Sequence, residues 1–419
     1  MSWRDWFRGA PQKKESKAGP LVSVFQVGRA APTPRDYETI SREAYSRNII
    51  AYRCIALVAE SAASIPWKLY RGDTPVETHP ILNLFEKPNP IQTGTAFKTW
   101  LYSYDLLAGN AYVERAQAGS TVELYTHRPD RMRVVPGARG VPEAYEYTVG
   151  GKKARWDVDP FSGASEILHE KHFNPLDDWY GQSPLEAAAW DVDMHNEGRR
   201  WNLSLLRNGA RPSGALVYRP GEGENVLPEE EYNRLRAQLD DMGASKAGKP
   251  MLLDGGLDWV SMMLSQSDMD WLGGLDKAAS YIAQAYNVPE QLVGVPGQQT
   301  YNNYREARQA LYEDAVLPLC YRYAHAFTEW LIVPELGDSY YLGVDEESIS
   351  ALAGRKLQQI ERLKAADFMT INEKREVVGL PEIEGGDTLF VGATQLPLSF
   401  AADPPEIGNL DVAGEDPEQ

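Results

Sequence analysis

Few residue groups in this chain combine the types and the spacing that chemistry requires. The nearest approach to a phosphate cradle is Gly243-Ala244-Ser245-Lys246-Ala247-Gly248-Lys249, which follows the phosphate-loop pattern for seven positions. The eighth, which must offer a hydroxyl to magnesium, is Pro250. The order is also reversed: such a loop leaves a strand and opens a helix, whereas this segment leaves a predicted helix and enters a predicted strand. His169 and His172 stand three residues apart in a region read as strand and loop, not four apart on one helical face. Asp191, Asp193 and His195 fall on one predicted helix, but the two aspartates do not share a face; Asp191 and His195 at i,i+4 read as a side-chain pair. Gly221-x-Gly223 lacks the third glycine of a dinucleotide turn, and no Gly-x-Ser-x-Gly elbow exists. The two cysteines, Cys54 and Cys320, lie far apart in apolar helical contexts and are expected as buried free thiols. The sequence therefore offers no catalytic residue, no metal site and no cofactor site. Two polar constellations remain. Arg199, Arg200, Arg207 and Arg211 form a basic run, readable as a solvated or intersubunit helix face or as a contact for DNA or an acidic partner. Gln298, Gln299, Thr300, Tyr301, Asn302 and Asn303 form a polar run with no charge.

The elements that must position these groups can be read from periodicity and caps. Apolar residues at helical spacing follow Asn48 until Pro66, then Trp67–Arg71 reads as a strand with Gly72-Asp73 as its turn. Residues 95–108 form a helix ended by Gly109-Asn110, and residues 111–173 alternate in the manner of an antiparallel β region. Ser183-Pro184-Leu185-Glu186 combines an N-cap, proline at the first helical position and glutamate at the third. It predicts a helix of about 25 residues, close to 37 Å long, stopping at Asn208-Gly209. A small α/β unit follows: a strand within RPSGALVY, an amphipathic helix over Pro228–Met242, then strands in MLLDGG and LDWVSMM. Ser267 caps another helix, which runs to Asn287. Residues 288–303 lack sustained periodicity and read as a long loop, a feature that between two helices is usually functional or disordered. A helix from Tyr304 to Val333 is interrupted by Pro318, where a kink is expected. Asp345 is placed to cap a helix, and Thr370-Ile371-Asn372-Glu373 is a second capping box, with Gly379 beyond the helix it opens.

Composition narrows the function classes. The chain has 419 residues, 43% of them hydrophobic, a net charge of -18 and no apolar run long enough to cross a membrane. A protein that grips nucleic acid by neutralising phosphates needs clustered Lys and Arg, so this balance excludes a tight phosphate grip but not a surface that a polyanion slides past. Charge is uneven. Residues 1–35 hold seven Lys/Arg against two Asp/Glu, whereas residues 401–419 hold six Asp/Glu and no base. The first segment reads as a flexible arm and the last as an acidic, disordered tail. Its N-terminus lacks the apolar run of a signal peptide, so the chain is expected to be made and kept in the cytoplasm at least until it is assembled.

From about Ser41 to Leu398 the chain resembles the portal proteins of long-tailed phages of the HK-ninety-seven type, including those of gene transfer agents. The matching stretches include NIIAYRCIALVAESAASIPWKLYRG, HPILNLFEKPNP, LAGNAYVE, LYTHRPDRMRV, GQSPLEAAAWDVDMHNEGRRWNLSLLRNGARPSGAL, YIAQAYNVPEQLVG, TYNNYREARQALYEDAVLPL and TINEKREVVGLPEIEGGD. Their order and spacing carry the resemblance. It implies an α+β portal fold that assembles as a ring of about twelve around a channel. The implied parts are an arm (1–36), a wing of helices and antiparallel strands (37–182), a stem helix (183–208), a clip (209–266), a second stem helix (267–287), a tunnel loop (288–303), a kinked long helix with a return strand to the wing (304–345), crown helices (346–395) and the acidic tail (396–419). It further implies a structural rather than enzymatic role at the portal vertex of a virion or phage-like particle. The expected partners are copies of itself, double-stranded DNA sliding without sequence preference, the terminase large subunit, a head–tail adaptor and the major capsid protein, with no membrane. The run Gln298–Asn303 would face DNA, and Arg219, Glu229, Glu230, Arg234, Arg236, Asp240 and Asp241 would form the docking surface of the clip. A head–tail adaptor or another capsid component without a channel is the alternative; the order stem, clip, stem, loop argues for the portal.

Overall fold

A computed structural model describes residues 37–119, 121–207, 214–218, 257–261, 271–295, 301–366 and 368–388, together with Glu230, Asn233 and Arg234. The expected arm and acidic tail lie outside the described residues, as does the segment 243–250. The chain divides into two compact units, residues 1–348 and 349–419.

The helical core of the first unit begins with α1 (Ile49–Ala63). Asn48 takes an extended conformation and its Oδ1 accepts from the N–H groups of Ile50 and Ala51, satisfying two donors that a helix start leaves orphaned. Cys54, Ile55, Val58, Ala59 and Ala62 recur at helical spacing and are buried. The strand β1 (Trp67–Arg71) follows, then β2 (Thr74–Val76), α2 (Pro80–Glu86) and α3 (Gly94–Ala108). Helix α3 contributes Phe97, Leu101 and Tyr102 to the same core. Its end is set by Gly109, whose φ of 67° is the left-handed conformation that glycine adopts without penalty. Lys98 is buried here, donating to the carbonyl of Ile65 at 2.6 Å with its ammonium 5.3 Å from the Trp67 ring centre; burial pushes its pKa down to about 8.

All eleven described strands of the first unit pair antiparallel. The strands β3 (Asn110–Ala118), β4 (Thr121–His127), β5 (Met132–Val135), β6 (Ala144–Val149), β7 (Lys152–Asp157) and β8 (Ile167–Lys171) form two three-stranded sheets, ordered β4-β3-β8 and β5-β6-β7. Tyr112, Met132, Val134, Tyr145, Val158 and Ile167 fill the space between them. Then come α4 (Ala189–Arg207), the paired strands β9 (Gly214–Tyr218) and β10 (Leu257–Ser261), and α5 (Trp271–Ala285). A long helical run supplies α6 (Tyr301–Leu311) and α7 (Leu317–Phe327). It leads to β11 (Tyr340–Val344), which returns to pair with β1 in the order β11-β1-β2. The unit is thus closed by joining its first strand to its last, Trp67 opposite Val344. The second unit holds α8 (Ala353–Lys364) and α9 (Ile371–Val377), the latter opened by a full capping box between Thr370 and Glu373.

Four sequence expectations need correction. The helix opened by Ser183 is not continuous: a turn at Pro184–Ala187 breaks at Ala188, and α4 starts at Ala189 with 19 residues, about 28 Å. Residues Tyr301, Asn302 and Asn303 are not loop; they form the first turn of α6, because helical hydrogen bonding extends back past Tyr304. The interruption near Pro318 is a widened helical turn. Tyr312–Val316 is π-helical, with the Leu317 N–H reaching the Tyr312 carbonyl, and a second π segment, Thr328–Ile332, precedes Pro334 in the same way. A proline cannot donate and its ring collides with the carbonyl four residues back; a five-residue turn just before it relieves both problems. Asp345 opens only a single 3-10 turn at Glu346–Ser348, and its carboxylate pairs with Lys68 at 2.9 Å.

A buried charge fastens the long helical run to the rest of the unit. Asp105 on α3 has no solvent exposure. Its Oδ2 accepts from Arg322 Nη2 on α7 and lies 3.0 Å from Nε2 of His172, which follows β8. Three separate pieces of chain therefore meet on one carboxylate. Replacing Asp105 with Asn removes the charge and strands Arg322, an expected loss of about 3 kcal/mol, at the low end for a broken buried pair because Arg322 is partly solvated. Urea unfolding at neutral pH checks this; an unchanged midpoint would mean that the pairing contributes nothing.

Candidate functional site

Helices α4 and α5 and the exposed start of α6 carry or flank the basic and polar runs of the sequence, and their anchoring decides how those runs are held. The first anchor is Ser183. Its hydroxyl donates to the Leu107 carbonyl at 2.7 Å while accepting from the Leu185 N–H at 3.1 Å, so one buried side chain both caps the turn leading into α4 and ties it to the end of α3. Beside it the chain crosses itself. A Cβ on Gly109 would lie 2.3 Å from the Gln182 carbonyl oxygen, and one on Gly181 would lie 2.1 Å from the Gly109 carbonyl oxygen. Neither position admits even a methyl group. Asn110 locks the crossing: its Nδ2 donates to the carbonyls of Ala108 and Gly181, and its Oδ1 accepts from the Gly181 N–H at 2.7 Å. The same Oδ1 lies 3.1 Å from Nε2 of His169, which therefore carries the proton, while the His169 ring stacks on Tyr112 at 4.2 Å. The separate motifs AGN and GQSP are two halves of one joint.

The second anchor fixes α4 to the start of α1. Asn48 Nδ2 lies 3.1 Å from His195 Nδ1 and 3.2 Å from Asn196 Oδ1, and Asn196 in turn donates to the Glu43 carbonyl at 2.8 Å. An amide nitrogen can only donate, so His195 accepts through Nδ1 and is neutral. This replaces the expected pairing of His195 with Asp191. Helix α5 packs with Ala278, Ala279, Ile282 and Ala283 buried, and just beyond it the hydroxyl of the buried Tyr286 donates to the Leu106 carbonyl at 3.2 Å, so the chain leaving α5 is bound to α3 as well. Asn287 then turns the chain with φ of 53° before Pro289.

Of the basic run, Arg199 and Arg200 are exposed on α4. Arg200 is engaged, pairing with Glu43 at 3.0 Å and with Glu197. Arg207 closes α4, and Arg211 lies outside the described residues. Gln298, Gln299 and Thr300 lie outside them too, whereas Asn302 and Asn303 are exposed on the first turn of α6. Of the expected docking surface, Glu230 and Arg234 are described, both helical and exposed; Arg219, Glu229, Arg236, Asp240 and Asp241 are not among the described residues. Both cysteines are free and buried. Sequence reasoning overlooked Arg305 and Arg308, exposed on α6 just beyond the polar run, whose i,i+3 spacing was visible. It also overlooked Asn48, Asn110 and Ser183 as anchors, because their partners lie 71 to 148 residues away in sequence.

The two anchor histidines make the joint sensitive to acid. Burial, with Lys171 adding to it, lowers the His169 pKa to about 3; burial and then Arg199 lower that of His195. Protons therefore favour the unfolded chain. The full contribution of both sites is present above the ordinary histidine value of 6.5 and is lost as pH falls below it, for His169 progressively towards about 3. His169→Gln should reduce the loss of urea resistance between neutral pH and mildly acidic pH. An equal loss in variant and wild type would exclude His169 as a source.

Comparison with known proteins fits this architecture. The family model described as phage portal protein matches residues 50–379. An uncharacterised protein of Rickettsia bellii (strain RML369-C) is 39% identical over 351 residues, spanning 83% of this chain and 90% of that protein. The portal protein of Enterobacteria phage HK97 is 22% identical over 418 residues, spanning 94% and 92%. Among solved structures, a chain in the neck of a native gene transfer agent particle computed with C12 symmetry is 40% identical, covers 85% of this chain and 97% of its own length, and superposes with a TM-score of 0.64. With the family model covering residues 50–379, well over half of the chain, the chain belongs to the phage portal protein family.

Proposed function

We propose that this portal subunit assembles with about eleven copies of itself into the ring through which a phage or gene transfer agent head is filled with DNA and later emptied. The observation that carries the reading is the order of elements: an anchored helix α4, the strand pair β9–β10, a second anchored helix α5, residues 288–300, then the long run from α6 to α7. The twelve-fold symmetry of the neck whose chain is 40% identical supports the copy number. On this reading residues 37–182 are the wing, α4 and α5 the stem, 209–266 the clip, and 346–395 the crown. Residues 288–300, with Asn302 and Asn303 on the first turn of α6, form the tunnel loop and its root. The particle vertex is its place of work, and the role is structural.

The physical chemistry suits a conduit. A protein of net charge -18 repels a polyanion on average, which keeps the wall from holding it. Uncharged amides and hydroxyls exchange hydrogen bonds with phosphate oxygens without the counterion release that makes ionic grips strong and salt-dependent. Gln298, Gln299, Asn302 and Asn303 would brush the backbone in this way. The clip, with Glu230 and Arg234 on an exposed helical turn, would dock the terminase large subunit during filling and a head–tail adaptor afterwards; the wing would meet the major capsid protein.

Light scattering with negative-stain microscopy on the purified chain tests the assembly: a ring of about twelve with a central hole is expected, and a compact dimer would overturn the reading. Gln298→Lys with Gln299→Lys should slow DNA packaging or ejection, and unchanged rate and packaged length would remove these residues from the DNA path. Charge reversal at Glu230 and Arg234 should weaken terminase docking, measured as packaging yield; full yield would place docking elsewhere.

A further inference from the structure

The described part of the second unit is short of a core. Among its described residues, roughly forty, the only buried side chains are Ile349, Ala366 and Asn372. Units of this size do not hold together on so little apolar burial without a partner, a metal or disulfides. Yet the segment after Thr370 is tightly ordered, around a polar centre. Asn372 Nδ2 donates to the Ile383 carbonyl and to Asp387, its Oδ1 accepts from the Ile383 N–H at 2.9 Å, and its own N–H reaches the Gly386 carbonyl. Arg375 Nε donates to the Pro381 carbonyl at 2.8 Å. Gly386 must be glycine, since a Cβ there would stand 2.2 Å from Asn372 Oδ1. This knot fills its interior with hydrogen bonds and turns its apolar side chains outward: Leu380 is 50% exposed, Val377 47%, Ile383 44% and Ile371 38%. An ordered backbone displaying uncovered apolar groups is a preformed docking surface.

We propose that the knot at residues 371–387 of one copy docks on helix α8 of the neighbouring copy, so that each subunit completes the core of the next around the ring. The proposal rests on the portal reading. A cyclic assembly needs two different, mutually complementary patches on every subunit, one meeting the other head to tail. Charge supplies that complementarity. Helix α8 has four basic residues against one acidic, whereas Ile371–Asp387 has five acidic against two basic. A second copy of the same surface would repel the knot; α8 of the neighbour attracts it. Apolar contact would supply the adhesion and charge the pairing of unlike faces.

The test uses the full chain and a charge swap, read as ring mass by native mass spectrometry across a salt series. Glu376→Lys with Glu382→Lys should lower the assembled fraction at least tenfold at moderate salt, and so should Arg362→Glu with Lys364→Glu. All four substitutions together should restore assembly, which also shows that the variants fold. Single sets that assemble like wild type, or a combined variant no better than either, would overturn the contact and point to the chain's own tail or another capsid protein as the cover. A wild-type chain that stays monomeric at every concentration would overturn unaided ring assembly and this contact together, with family membership unaffected, whereas a wild-type ring with indifferent variants removes only the contact.

Discussion

Two stretches of backbone pass each other at Gly109 and Gly181 so closely that no side chain fits between them. Much of the architecture depends on that crossing. It brings the end of α3 against the chain entering α4, lets the Asn110 amide satisfy both strands of the crossing, and leaves Ser183 positioned to bond back to Leu107. A long helix leaving a domain at a defined angle needs a rigid origin. Backbone-to-backbone proximity, filled by one amide and covered by the His169–Tyr112 stack, provides it without any ionic group. The Asn48–His195–Asn196 contacts one turn and a half further along α4 then fix the rotation of the helix about its own axis.

The parts of the fold legible in sequence are those set by local chemistry. Trp67–Arg71, the α3 stop at Gly109 and the Thr370 capping box emerge where alternation, left-handed glycine and reciprocal capping place them. What sequence hid was long-range. His195 has an aspartate at i−4, the obvious partner, and instead faces Asn48 from 147 residues away. Buried hydrogen bonding outweighs a surface pair, and nothing local records it. The start of α6 was hidden differently. Asn302 and Asn303 are poor helix formers, so the periodicity fades before the helix does. Pro318 gave a true signal of disturbance but not its form, because a π turn and a kink have the same sequence mark. At the site itself, the polar run was visible as composition, whereas the joint that anchors α4 was visible only as two glycine-containing fragments with no apparent connection.

Family membership and physical reading meet on the matter of charge. The fold invests its strongest polar interactions inside, at Asp105, Asn110 and Asn48, where they hold elements together. At the exposed base of α6 the residues are amides, and the cations Arg305 and Arg308 come one turn later. The fold thus separates rigidity from surface chemistry: stiffness comes from buried hydrogen bonds, and the exposed base of α6 is left to uncharged amides.

The two π segments in the long helical run also settle a matter of rotation. Each slots one extra residue into a helix whose residues advance by about 100°, so everything on the N-terminal side is turned by roughly that angle relative to an uninterrupted helix. From β11 back to α6 there are two such insertions, at Thr328–Ile332 and Tyr312–Val316. The compass bearing of Asn302 and Asn303 is therefore set by a count of residues far from them, much as the teeth of a key are aimed by the bow. Trimming a single residue from either segment would leave the sequence of the loop untouched and point it at a different quarter of the circle.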